Sequence, residues 1–249
     1  MSILNLDAIV NGARSTRYAK LRKLRELGVV EGRGRDISIN YFSPNTWRYI
    51  YKGFDTEYVV LRALSVSSGV LTGMRIAGLL CPNPYSDAPI YEVYVPRERA
   101  DVFASVIGLR DDIAVVSRSE TLFELSPSRV KILVYELMDP VDYEIVTTSH
   151  GFEVREASIE QALIDVIRNE YWYRRGIAFE VFYYAKKYVS PRKLLEIAKR
   201  LGVEKRLYTV DYVVAETLNE KPLFTASKDL ELEKINLIKI IERLEDVTD

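Results

Sequence analysis

The sequence predicts an α+β protein of mixed α/β character in two unequal parts: a small basic head over residues 1–52, and a larger α/β body over 53–249 whose C-terminal part is helical. Three observations predict it. The chain of 249 residues is 48% hydrophobic and 29% charged, enough apolar material for a real core and too much for a disordered chain. Residues 1–52 hold ten Lys and Arg against four acids, a charge of +6, while the rest holds 25 against 32, a charge of −7. Strand-like and helix-like segments alternate through the middle of the chain, and amphipathic helical patterns follow after residue 154.

In the head, Leu4, Leu6, Ile9 and Val10 fit a short helix ending near Gly12. Ser15 or Thr16 then caps a second helix running to about Leu27, with Leu21 and Leu24 as its apolar stripe, helped by Tyr18 and Leu27. Gly28 stands where a helix C-terminal stop is expected. Val29–Glu31 reads as a short strand, Gly32-Arg33-Gly34-Arg35 as a turn, and Asp36–Phe42 as an alternating strand. Helix, tight turn, helix and hairpin is the order of a winged helix-turn-helix, and LRKLRELGVVEGRGRDISI resembles the passage from recognition helix to wing in such regulators. At 100° per residue, the outward face of the second helix collects Ser15, Thr16, Ala19, Arg22, Lys23 and Glu26, with Lys20 on its flank. Small residues at the helix start let backbone approach a duplex, and Arg and Lys supply phosphate or guanine contacts. Arg33 and Arg35 sit at the expected wing tip. The expected DNA-binding residues are therefore Ser15, Thr16, Lys20, Arg22, Lys23, Arg33 and Arg35, and the expected partner is double-stranded operator DNA.

In the body, Thr56–Leu80 is apolar and reads as mainly helical, broken near Ser67-Ser68-Gly69. Glu92–Val95, Ile113–Val116 and Tyr143–Thr147 read as strands, Arg97–Ile107 as helix, and Pro127–Met138 as helical or mixed. Val154-Arg155 ends a strand, and Ser158-Ile159-Glu160-Gln161 has the form of a capping box. Ile159, Ala162, Leu163, Val166 and Ile167 then form a helical stripe, with Asp165 expected to point away from it. Ile177–Tyr188 reads as a buried helix. Ser190-Pro191 opens another, with Leu194, Leu195, Ala198 and Leu201 inside and Gly202 ending it. The pattern over 230–244 is an amphipathic helix that either packs on the body or supplies a homodimer or partner contact.

The run VREASIEQALIDVIRN, followed about twenty residues later by SPRKLLEIAKRLG, resembles the C-terminal domain of AbiEi-type antitoxins, the transcriptional regulators of type IV toxin–antitoxin systems. Glu160, Ala162, Leu163 and Asp165 match that family's acid, Ala-Leu and Asp, and GVLTGMRIAGLL (69–80) is similar to its helix before a central strand. The resemblance covers most of residues 5–218 and is sharpest over 154–202. Lys205-Arg206-Leu207-Tyr208 stands where the family has an Arg-Leu-Gly phrase. The resemblance implies a winged-helix head, repression of the protein's own operon, and action against a cognate nucleotidyltransferase-like toxin.

Catalytic and metal-binding patterns are sparse. One cysteine (Cys81) and one histidine (His150) exclude an internal disulfide, a thiolate cluster and a His-rich metal site within one chain. Asp111-Asp112 has no third acid at ligand spacing, Ser67-Ser68-Gly69 lacks the Asp-x-Asp of nucleotidyl transfer, and no glycine-rich phosphate loop occurs. The expectation is a non-enzymatic regulator without a cofactor; the alternatives are a nucleotide-processing enzyme and a protein-binding scaffold with an α/β body. No apolar stretch reaches the roughly 20 residues of a membrane span. MSILNLDAIV lacks the basic and apolar regions of a signal peptide, so the expected compartment is the cytoplasm. A single glutamine, Gln161, amid many charges leans toward a thermophilic source.

Overall fold

The computed structural model describes residues 14–33, 36–40, 43, 45–46, 54–82, 90–126, 130–137, 141–224, 240–241 and 244. Among them, the head begins with helix α1 (Arg14–Glu26). Gly28 closes it at φ 69°, and Val29 N–H donates back to the Leu24 carbonyl at 2.8 Å, a glycine-dependent C-terminal cap. Strands β1 (Val30–Arg33) and β2 (Asp36–Ile39) form an antiparallel hairpin in the register Val30 to Ile39 and Arg33 to Asp36. Leu24, Val29 and Val30 make a small buried cluster of their own. Leu27 does not join it: it lies past the last helical turn and is 42% exposed. The short helix expected over Leu4–Gly12 lies outside the described residues.

The body is built on a six-stranded mixed sheet. Its strands are β3 (Val70–Thr72), β4 (Ile90–Val95), β5 (Ile113–Val116), β6 (Val130–Glu136), β7 (Tyr143–Thr147) and β8 (Glu153–Ala157), in the spatial order β5-β6-β4-β3-β8-β7. The strands β5, β6 and β4 are mutually parallel, β3 runs antiparallel to β4 and parallel to β8, and β7 closes antiparallel on β8. β4 is buried along its whole length because both faces of the sheet are covered.

One face carries helices α2 (Thr56–Ser67) and α4 (Ala100–Ile107), packed through Val59, Val60, Leu64, Phe103 and Ile107 onto Leu71, Tyr91, Val93, Ile132 and Val154. The other carries α3 (Met74–Ala77), α5 (Ile159–Arg168), α6 (Glu170–Arg174), α7 (Ile177–Ala185), α8 (Pro191–Arg200) and α9 (Glu204–Thr217). Their larger core includes Leu163, Ile167, Phe179, Phe182, Leu194 and Leu207, all fully buried. Ile240 and Leu244 are buried in the same core, so these two residues of the 230–244 segment pack on the body.

Several elements differ from their sequence reading. The apolar stretch 56–80 is not one broken helix. α2 ends at Ser67, Ser68 turns left-handed at φ 56°, and the chain enters β3 before resuming as α3 and a 3-10 turn over Gly78–Leu80. The stretch 127–138 is a strand over Val130–Glu136: an apolar run flanked on both edges and covered on both faces shows no polar alternation. The expected buried helix 177–188 stops at Ala185, and Tyr188 is exposed in the turn beyond. Ser190 caps α8 by accepting from Lys193 N–H, and Pro191 occupies its first turn. Leu195 and Leu201 are only partly buried, while Ile197 takes an inward place beside Leu194 and Ala198.

Only half of the capping box forms. The Ser158 hydroxyl accepts from Gln161 N–H at 3.4 Å, but the Gln161 amide turns inward, away from the Ser158 backbone. Asp165 also points inward and is fully buried, contrary to the single-stripe expectation. α5 is sandwiched between the sheet and the outer helices, so residues 161–167 are buried all round.

Candidate functional site

Two places carry concentrated polar chemistry. The first is the outer face of α1. Lys20, Arg22 and Lys23 are exposed on this helix, while Leu24 is buried. Arg22 Nε donates to Glu26 Oε1 at 3.0 Å, an exposed i,i+4 pair of small energetic weight. Ser15 and Thr16 lie in the first turn of α1, and Arg33 ends β1 at the hairpin turn. Arg35 lies outside the described residues. The turn after α1 is tied to the segment that follows the hairpin: Asn45 Nδ2 donates to the Leu27 carbonyl at 2.9 Å, and the buried Thr46 hydroxyl donates to the Asn40 carbonyl at 2.6 Å. Helix and hairpin are thus braced by the same short stretch.

The second place lies between the sheet and α5. Thr72, Glu92, Tyr94 and Tyr135 project from neighbouring strands β3, β4 and β6 onto α5, which supplies Gln161, Asp165 and Arg168. Asp165 accepts from the Tyr94 hydroxyl at 2.6 Å, the Thr72 hydroxyl at 2.7 Å and Gln161 Nε2 at 3.2 Å, and pairs with Arg168 at 3.2 Å. Arg168 lies over the Tyr135 ring at 3.9 Å and donates to the Tyr94 oxygen at 3.2 Å. Arg200 on α8 donates to Gln161 Oε1 at 2.8 Å, linking the outer helices to the centre.

Glu92 forms the other half. Its carboxylate accepts from Asn169 Nδ2 at 2.7 Å, from the Met74 backbone and Trp172 Nε1 at 2.9 Å each, and from the Tyr135 hydroxyl at 3.0 Å. Gly73 (φ 67°) lies directly against it, and a Cβ there would overlap the carboxylate. Burial pushes both carboxyls above their ordinary range. For Asp165 the Arg168 charge and the Tyr94, Thr72 and Gln161 hydrogen bonds oppose that; for Glu92 the Asn169, Met74 and Trp172 hydrogen bonds oppose it, while the Asp165 charge adds to it. With four partners each and no exposure, the two carboxylates serve as anchors that join α3, α5 and α6 to the sheet.

Sequence reasoning singles out Asp165 and misses Glu92, Tyr94, Tyr135, Arg168, Asn169 and Trp172. Glu92 offers a signal, a lone acid inside an apolar strand, which requires either an edge position or buried partners.

No protein-family model matches this sequence, and a comparison with curated proteins returned no match.

The remaining candidates resolve locally. Arg110 donates bidentately to Asp112 at 2.7 and 2.5 Å, which gives that acid a structural partner. Burial and the nearby Glu180 charge push the Cys81 thiol up to about 12, so it carries little thiolate at neutral pH. His150 packs edge-on against Tyr58 at 5.3 Å. Among the described residues, no three His, Cys, Asp or Glu side chains are placed to hold a metal, and no helix is long and apolar enough to cross a membrane.

Proposed function

We propose that this protein is a DNA-binding transcriptional regulator, the antitoxin of a type IV toxin–antitoxin system, which represses its own operon and counteracts a nucleotidyltransferase-like toxin without catalysis. The observation that carries the DNA-binding reading is the exposed basic face of α1 with a hairpin directly behind it, in a segment of charge +6. A helix so armed enters a major groove, and a hairpin beside it meets phosphate. The net charge of −7 over the body disfavours the long polyanion of a duplex there, which favours the head as the DNA-binding part and leaves the body free for folding, dimerisation or another target. The antitoxin half of the reading rests on the family resemblance over 154–202.

The buried centre supports the non-enzymatic half. Asp165, the acid that matches the AbiEi-type pattern, is fully hydrogen-bonded inside the protein and meets no solvent. In this reading the pattern Glu160, Ala162, Leu163, Asp165 is a folding signature: two small or apolar residues pack and the acid docks the helix on the sheet.

The test is mobility shift of the purified protein on its own upstream DNA, together with co-expression of the 53–249 body beside the neighbouring toxin gene. The reading predicts salt-sensitive binding by the whole chain, and a folded body that loses operator binding yet rescues growth. Absence of binding at low salt would remove the regulator, and failure of a folded body to rescue would remove the modular antitoxin.

A further inference from the structure

Beside the buried centre a cleft of about 450 Å³ opens between the 3-10 turn Ser119–Phe123 and the start of α9. This is within the usual size range of small-molecule sites, roughly 300–1,000 Å³. Its walls sort by chemistry. Arg168, Lys205 and Arg206 supply cationic groups, Leu201 and Val203 an apolar surface, and Ser119 and Glu120 a polar end.

The cationic wall is held in place. Arg206 donates to the Arg168 carbonyl at 2.9 Å and pairs with Glu170, which Arg174 also binds at 2.5 Å. Glu170 is thereby kept ionised with its charge compensated: burial works to raise its carboxyl, but Arg206 and Arg174 hold it below the ordinary range. Arg168 is fixed on its inner side by Asp165 and Tyr94, and its buried Nε has no hydrogen-bond partner among the described residues. Lys205 is exposed at the rim. The first-turn amides of α9, whose N-cap Val203 offers no side-chain acceptor, add to the positive character of this wall.

We propose that this cleft binds a phosphomonoester of mononucleotide size. The phosphate meets Lys205 and the Arg168–Arg206 wall, the flat apolar part of the ligand lies on Leu201 and Val203, and a hydroxyl or amino donor reaches Glu120. A guanidinium pair beside an ammonium suits a phosphate dianion. Because Arg168 also contacts Asp165 and Tyr94, an occupied cleft stiffens the joint between α5 and the sheet.

The test is a thermal-shift and calorimetric titration of the full chain with the four ribonucleoside monophosphates. Adenosine, inorganic phosphate and sodium chloride of matched ionic strength serve as separate arms. At least one monophosphate should raise Tm saturably, inorganic phosphate should act more weakly, and adenosine and salt should not act. Lys205→Glu should weaken the response at least tenfold, with Lys205→Ala intermediate, while Lys187→Glu, an exposed charge change outside the cleft, should leave it intact. The proposal is overturned if no monophosphate stabilises saturably, if adenosine binds as well as its monophosphate, or if a folded Lys205→Glu variant binds like the parent.

Discussion

The hydroxyl of Tyr94 on β4 donates a 2.6 Å hydrogen bond to Asp165 on α5 and accepts from Arg168 and Gln161 of the same helix. A single strand residue thus organises three inward positions of α5. Tyr94→Phe removes a donor from a buried carboxylate and an acceptor from a buried guanidinium. It should cost about 1–3 kcal/mol in denaturant unfolding. Tyr188→Phe, at an exposed ring, should stay within about 0.5 kcal/mol. Equal effects of the two would show that the Tyr94 network contributes nothing to stability.

Gly73 and Glu92 occupy adjoining space. Gly73 has φ 67° and ψ −139°, a conformation closed to side chains, and the Glu92 carboxylate fills the place of its missing Cβ. Gly73→Ala should cost at least about 1–3 kcal/mol from backbone strain alone, with more from the displaced carboxylate. A variant that melts with the parent would contradict the close packing of this turn.

Much of this architecture is legible in the residues, and the failures have physical causes. Ile113–Val116 and Tyr143–Thr147 read as strands with the bounds they have, because turn residues flank β-branched runs. Ser190-Pro191 declares the start of α8 through cap chemistry. β3 is hidden inside an apolar stretch because its three residues are too few to show a period. β6 is obscured because burial on both faces removes alternation. An outward Asp165 follows from a single apolar stripe, which assumes one buried face, whereas α5 has two. The partners of Asp165 come from β3, β4 and α5 itself, and the more distant pairings depend on strand order, which no local pattern encodes.

Leu163 is fully buried on α5 among the outer helices. Leu163→Ala should lower stability by roughly 2–5 kcal/mol, because the packed surroundings relax only in part. Calorimetric unfolding checks it, and an unchanged Tm would place α5 at the periphery.

The Glu170 carboxyl has its pKa held below the ordinary range by Arg206 and Arg174, against the upward push of burial. A depressed folded-state pKa contributes stability above the unfolded value, about 4.3, and that stability is lost as pH falls through the folded value. The Tm difference between parent and Glu170→Gln should therefore be flat from about pH 5 upward and close on acidification. A difference that widens as pH falls would reverse the sign and rule out this pairing as the source.

The central claim is that the basic head carries DNA affinity, and the most direct measurement is operator affinity against salt for the parent and for a variant with Arg22, Lys23, Arg33 and Arg35 all replaced by Ala. The parent's affinity should fall linearly in log salt. The variant should bind more weakly, with its slope flattened by roughly one unit for each phosphate it no longer neutralises. A folded variant with the parent's affinity and slope would contradict the assignment of α1 and its hairpin as the DNA-binding surface.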